Sequence, residues 1–189
     1  MSKVEVGILA IQGDFTLHQA KFESLGATVQ LIRRPGELDA VKRLVIPGGE
    51  STTMQLLIDR YGIRSELEDF CRSHPVWGTC AGMILLASSV DDARIRPLKI
   101  MDISVERNAY GRQINSFIGH GMASLNSTGK EIEMVFIRAP RIVEMSSKVE
   151  PIARCGKDVT MARQGRVLVT SFHPELSEGS LVHRYFLDM

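Results

Sequence analysis

The chain has 189 residues, 44% hydrophobic and 24% charged, with mean hydropathy near zero. This profile excludes global disorder and fits one domain over residues 1–189. Lys plus Arg total 23 against 22 for Asp plus Glu, so nothing chain-wide attracts nucleic acid or anionic lipid, and no local basic patch stands out.

No apolar run approaches the ~20 residues of a membrane span. Glu5 interrupts the N-terminus before a signal peptide could form, and three cysteines at unrelated spacings argue against a disulfide framework. A cytoplasmic protein is expected.

Val4 to Ile11 is an apolar run of strand length ending at Gln12-Gly13. From Asp14, read as an N-cap, Leu17, Ala20, Phe22 and Leu25 lead to Gly26 as a helix with both ends marked. Thr28 to Ile32 and Leu44 to Ile46 read as strands, and Pro47-Gly48-Gly49 breaks the second before a helix from Ser51. Leu67 and Phe70 mark a further helix after Gly62. Val76-Trp77-Gly78 is the fourth strand, followed at once by a helix over Ala81 to Ser88.

Strands alternating with helices predict an α/β fold with a mostly parallel sheet flanked by helices. After Pro97 the runs shorten: Ile103–Glu106, Glu131–Ile137, Pro151–Cys155, Thr160–Arg163 and Val167–Ser171 suggest a small antiparallel annex on the same sheet. Ser180 to Leu187 closes the chain as a helix.

Gly78-Thr79-Cys80-Ala81-Gly82 joins a strand directly to a helix. Flanking glycines around a central nucleophile are the pattern of an elbow, a tight turn that exposes the central side chain. The helix N-terminus would favour a thiolate, lowering a cysteine pKa of ~8.5 toward ~3.5–7.5, and the Ala81 amide would face a developing oxyanion. Alternatively, Cys80 is a small buried residue in close packing. Cys71 and Cys155 lack this context and read as core or edge residues.

In His173-Pro174-Glu175 the histidine and carboxylate project to the same side of an extended segment, so Glu175 could orient His173 as a triad base is oriented. Both His173 and Cys80 follow predicted strands, where sites of open α/β sheets form. A surface turn is the alternative. His18, His74, His120 and His183 read as surface or capping residues, and no metal or cofactor is expected.

Pro47-Gly48-Gly49-Glu50-Ser51-Thr52 could bind an anion or complete an oxyanion hole, or be an ordinary turn with Ser51 as N-cap. Arg107 and Arg138, each ending a strand-like run, could pair with a substrate carboxylate or be solvated.

Taken together, GTCAG at 78–82, PGGEST at 47–52, Arg107 in VERNAYGRQ, FIRAP at 136–140 and SFHPEL at 171–176 resemble the glutaminase subunits of pyridoxal 5′-phosphate synthase. This is a branch of the class I glutamine amidotransferases, and the resemblance runs from Ile8 to the last helix. Met83 stands where most class I amidotransferases carry glutamine, as is usual for this branch.

The resemblance implies that Cys80 is the nucleophile and that His173 and Glu175 complete the triad. It implies that Gly48, Gly49, Glu50, Arg107, Ile137 and Arg138 contact glutamine, and that Gly49 and Ala81 serve the oxyanion. Gln12 would lie near the oxyanion hole and the partner interface.

The implied partner is a synthase subunit that receives the ammonia in a large hetero-oligomer and activates the glutaminase. Two other readings stay open: a glutaminase serving another synthase, and a non-enzymatic reactive-cysteine binding module. Ile118-Gly119-His120-Gly121 and the Asp14-Phe15-Thr16 helix start match no family motif.

Overall fold

The computed structural model describes residues 4–107, 109, 116–126 and 128–189. Asn108 and residues 110–113 of the VERNAYGRQ segment lie outside the described residues, as does Met1-Ser2-Lys3. In chain order the elements are β1 (Val6–Leu9), α1 (Phe15–Ser24), β2 (Val29–Ile32), β3 (Leu44–Ile46), α2 (Ser51–Arg60), α3 (Arg64–Ser73), β4 (Val76–Thr79) and α4 (Ala81–Leu86). There follow β5 (Ala87–Val90), β6 (Met101–Glu106), β7 (Ser116–Leu125), β8 (Thr128–Ile137), β9 (Arg141–Met145), β10 (Glu150–Cys155), β11 (Asp158–Gln164), β12 (Val167–Thr170) and α5 (Leu181–Leu187).

The main sheet has the order β2-β1-β3-β4-β12-β11-β10-β7-β8. Its first five strands are parallel, and the other four extend it antiparallel. Alternate residues of the parallel strands enter opposite cores. Val76, Val167 and Val169 join a cluster with Met54 of α2, Leu67 of α3 and Leu85 of α4. Trp77 and Leu168 join a second cluster with Phe22 of α1 and Phe186 of α5. No helix among the described residues is long and apolar enough to cross a membrane.

The annex differs from expectation in three ways. The strand predicted at Val167–Ser171 belongs to the parallel core, as β12 beside β4. The strand predicted at Ile103–Glu106 is β6, which leaves the main sheet and forms a three-stranded sheet with β5 and β9. Neither β5, β7 nor β9 was expected.

The helix predicted over Ala81–Ser88 stops at Leu86. The carbonyls of Leu85 and Leu86 are taken by the amides of Leu98 and Ile100, which frees Ala87 to enter β5. In β7 the glycines that hid the strand are required by its neighbour. A Cβ on Gly121 would stand 2.1 Å from the Arg154 carbonyl oxygen of β10.

Gly82 sets how closely α4 packs on the sheet, since a Cβ there would lie 2.1 Å from the Ile46 carbonyl oxygen of β3. Helix propensity alone favours alanine over glycine by ~1 kcal/mol, yet the clash is with backbone that cannot rotate away. Gly82→Ala is therefore expected to destabilise the protein by about 1–3 kcal/mol in urea unfolding. Gly179→Ala, where an added Cβ meets nothing within 4 Å, should be nearly neutral.

Candidate active site

Cys80 sits between β4 and α4 with φ 46° and ψ −100°, a left-handed backbone that a non-glycine residue adopts only when its surroundings enforce it. The enforcement is visible on both sides. The Cys80 amide donates to the Thr170 carbonyl of β12 at 2.8 Å, and its carbonyl accepts from Ile84 at 3.2 Å to open the helix. Gly78 and Gly82 touch, since a Cβ on Gly78 would meet the Gly82 carbonyl carbon at 2.5 Å. The turn predicted from the glycine spacing is thus present, and the thiol, though its residue is only 6% exposed, borders a cavity at the carboxyl end of the strands.

Thr79 and Thr170 are register partners across the parallel β4 and β12, so the residues after each strand emerge at the same level. Thr170 leads through Ser171 and Phe172 to His173, whose amide donates to the Val135 carbonyl of β8 at 2.8 Å. The His173 ring nitrogen Nδ1 lies 2.7 Å from Glu175 Oε1, and both side chains are nearly or wholly buried. Nδ1 carries the proton in this pair, because an ionised carboxylate only accepts.

Burial by itself would lower the His173 pKa. The neighbouring Cys80 thiol and the hydrogen-bonded Glu175 carboxylate reverse this and push it up to about 10. Burial likewise opposes ionisation of Glu175, but the facing His18 and His173 hold its carboxyl below the usual range.

The Gly48-Gly49 loop is shaped by its neighbours. A Cβ on Gly48 would strike His173 Cε1 at 2.3 Å, and one on Gly49 would strike Gln12 Oε1 at 2.4 Å. Gln12 Oε1 accepts from the Glu50 amide at 3.0 Å, and the Asp14 amide donates to the Gly48 carbonyl at 3.2 Å, tying the end of β1 to the loop.

Glu50, not Ser51, is the N-cap of α2. Its carboxylate accepts from the amides of Thr52 at 3.2 Å and Thr53 at 2.6 Å. Burial works against ionisation there, and these hydrogen bonds nevertheless lower its pKa to about 2. Ser51 is the first helical residue, because the longer Glu50 side chain reaches the same amides.

Arg107 Nη2 lies 3.2 Å from Glu50 Oε1, and Nη1 binds Asp92 Oδ2. The cavity, about 240 Å³, is lined by Gln12, Gly49, Glu50, Cys80, Arg107, Ile137, Arg138 and His173 among others. It is smaller than the ~300–1,000 Å³ of drug-sized sites. The Ile137 carbonyl is 3.9 Å from Cys80 Sγ, Ala81 begins α4 beside the thiol, and Arg138 holds a left-handed φ of 43°. Every residue singled out for the site is thus gathered at or directly behind one cavity.

Asp14, His173 and Glu175 present donor atoms within 4.8 Å of one another, but His173 Nδ1 is already committed to Glu175.

Two histidines correct the expectation of surface positions. His18 and His183 are both 0% exposed, with His18 Nδ1 3.0 Å from His183 Nε2. Helix α1 turns His18 and Phe22 inward and leaves Leu17 40% exposed. The i, i+4 spacing of His18 and Phe22 was the available signal. Asp14 precedes α1 as expected, but its side chain makes no capping hydrogen bond and stands 3.9 Å from His173. Asp92 carried no sequence signal; the parallel pairing of Val90 with Val105 brings it to Arg107.

The buried histidines make stability depend on pH in both directions. Burial, then the neighbouring His18 and Lys21, lower the His183 pKa to about 2, and burial lowers that of His18. Below pH ~6.5 the unfolded chain binds protons that these two folded rings refuse, so stability falls with acidification by up to about 1.4 kcal/mol per pH unit per histidine. His173 behaves oppositely: its contribution is complete below pH ~6.5 and is lost as pH rises toward about 10. Urea unfolding at pH 5, 7 and 9 should show a maximum near neutrality, with a shallower acid limb in His183→Phe.

Residues 8–189 match the SNO glutamine amidotransferase family. A pyridoxal 5′-phosphate synthase subunit PdxT from Francisella philomiragia is 44% identical over 186 residues, covering 98% of this chain and 99% of that protein. Its counterpart from Francisella tularensis subsp. holarctica strain LVS is 43% identical over 185 residues, covering 98% of each. Among solved structures, a crystal structure of a glutamine amidotransferase superposes with a TM-score of 0.90 at 41% identity, covering 97% of both chains.

The PurLQS structure from Thermotoga maritima matches at 0.75 with 17% identity, covering 100% of this chain and 99% of that one, and shows the fold alone. A cysteine elbow facing a histidine–carboxylate pair, on a class I glutamine amidotransferase-like α/β sheet and with these relatives along nearly its whole length, places the chain in the SNO glutamine amidotransferase family.

Proposed function

We propose that this chain is the glutaminase subunit of a pyridoxal 5′-phosphate synthase, hydrolysing L-glutamine to L-glutamate and ammonia. The observation that carries the chemistry is the strained Cys80 set against the buried His173–Glu175 pair at 2.7 Å. The relatives named as subunits of that synthase carry the pathway.

In this reading the Cys80 thiolate attacks the side-chain amide carbon of glutamine, and the oxygen takes the negative charge. The amides of Gly49 and Ala81 stabilise it, each such donor contributing about 3–4 kcal/mol in the transition state. The imidazolium of His173 passes its Nε2 proton to the departing nitrogen, the C–N bond breaks, and ammonia leaves a γ-glutamyl thioester. His173 then takes a proton from water, the hydroxide attacks the thioester, and C–S cleavage returns the thiolate and releases glutamate. Glu175 holds the ring and balances its charge throughout.

Arg107, Glu50, Ile137 and Arg138 provide the polar wall for the amino-acid end of glutamine. Arg107, fixed by Asp92, offers a guanidinium to the α-carboxylate.

Ammonia passes to a synthase subunit in a hetero-oligomer, with Gln12 between cavity and partner. Supporting a docking face at that rim, exposed Leu17 lies one turn from Lys21. The Lys21 ammonium binds the Ser177, Glu178 and Gly179 carbonyls, beside exposed Leu176 and Leu181. A reduced thiol nucleophile suits the cytoplasm.

The test is glutamate release from glutamine with and without a pyridoxal 5′-phosphate synthase subunit. Strong activation by the partner is expected. Hydrolysis indifferent to it would move the chain to another pathway, and none under either condition would favour a binding module. Cys80→Ala should lower turnover on the order of 10⁴-fold or more while glutamine still binds. Arg107→Ala should raise KM about 10-fold or more with kcat less affected; a loss confined to kcat would contradict its binding role.

A further inference from the structure

The side of Glu175 turned away from His173 is neither solvated nor apolar. Its Oε2 is fully buried and has no well-aligned hydrogen bond among the described residues, a costly state for half of an ionised carboxylate. Facing it at 3.3 Å is Nε2 of His18, whose side chain is likewise 0% exposed. The same nitrogen lies 3.4 Å from Thr79 Oγ1, the residue before Cys80. On the other side of the ring, Nδ1 is 3.0 Å from Nε2 of His183 in α5. Trp77 and Phe22 wall the pair, with His18–Trp77 and Phe22–His183 ring centroids 5.2 and 5.0 Å apart.

One proton arrangement of this file serves the buried carboxylate. The carboxylate only accepts, so His18 carries its proton on Nε2. Burial keeps His18 neutral, so its Nδ1 accepts from His183 Nε2–H. The leftover atom is then a bare lone pair on His183 Nδ1, and that atom is indeed buried without a partner among the described residues. The charged and titratable groups facing His18 are Glu175, His173 and Asp14 with His183; Lys21 faces His183.

We propose that His18 is a positioning residue of the glutaminase: with its tautomer set by His183, its Nε2–H restrains the distal oxygen of Glu175, so that Oε1 stays aimed at His173 and the carboxylate stays ionised without water. The inference rests on the glutaminase reading for its role in turnover. Its geometric content, that His18 supports the Cys80–His173 pair through Glu175, is testable without glutamine. The 3.3 Å contact is loose, as catalytic hydrogen bonds commonly are before substrate binds.

The experiment uses full-length wild type, His18→Phe, His18→Gln and His183→Phe, each checked for folding by circular dichroism and urea unfolding. One arm measures kcat and KM for glutamine with the synthase subunit added. The other follows the rate of Cys80 alkylation by iodoacetamide against pH in the free protein, with Cys80→Ala as the blank.

His18→Phe keeps a flat ring but removes the donor. It should lower kcat about 10-fold or more with KM within about twofold, and move the alkylation midpoint to higher pH, because a weaker Glu175 supports the imidazolium–thiolate pair less. His18→Gln, which puts an amide donor near Nε2, should recover most of both. A folded His18→Phe with wild-type kcat and an unmoved midpoint overturns the proposal, as does a His18→Gln variant no better than His18→Phe.

If His18→Phe does not fold, His183→Phe decides. Its midpoint should move the same way by a smaller amount, and no movement overturns the proposal. Wild type that hydrolyses no glutamine even with the synthase refutes the glutaminase reading, whereas the alkylation arm still judges His18.

Discussion

Parallel pairing of β4 with β12 is the constraint on which the site depends. Thr79 and Thr170 stand opposite each other, and the Cys80 amide, one residue beyond the strand, still donates to the Thr170 carbonyl at 2.8 Å. That bond holds the chain in the sheet for one residue more than the helix would allow, so the reversal into α4 must happen at Cys80 itself. The left-handed φ of 46° is the result, and the glycines at 78 and 82 permit it by letting helix and strand backbones touch. Because β12 ends at the same level, His173 comes up beside the thiol without any long loop to position it.

Electrostatics then follow from burial. A carboxylate with no exposed surface must be met by hydrogen-bond donors, and Glu175 is met by imidazoles on both sides. The two rings respond oppositely. His173, between a carboxylate and a thiol, is held protonated, whereas His18, next to another histidine and sealed from water, is held neutral. Identical side chains less than a nanometre apart thus take different protonation states, and the neighbours of each decide which. At the open end of the cavity, Glu50 and Asp92 flank Arg107, so a guanidinium stands ready in a fixed orientation instead of being recruited from solvent.

The elements that were legible are those whose signal is local. Leu44–Ile46 and the α2 start at Ser51 are where the apolar run and the glycine break put them, and the elbow was readable because the strand, turn and helix are contiguous. Strands β5 and β9 were not legible because each pairs with β6 across an intervening stretch of chain. Strand β7 forms a hairpin with the adjacent β8, but hides its period-2 pattern behind Gly119 and Gly121, small because β10 and Cys155 crowd them. The N-cap at Glu50 was not legible because cap preference favours short side chains such as Ser51, while here the longer carboxylate reaches the amides of Thr52 and Thr53.

The sequence by itself determined the chemistry on offer: a cysteine at a strand-to-helix turn, a histidine and carboxylate two residues apart, a glycine loop opening a helix, and the family these segments resemble. Such features are encoded in residues that touch along the chain. Tertiary structure alone decided what surrounds them. Whether His18 faces water or a buried carboxylate depends on the rotation of α1 against the sheet, which Phe22, Trp77 and Phe186 set by packing. Whether Asp92 meets Arg107 depends on the β5–β6 register. Both are long-range outcomes of burying the most apolar surface at once, and no window of sequence contains them.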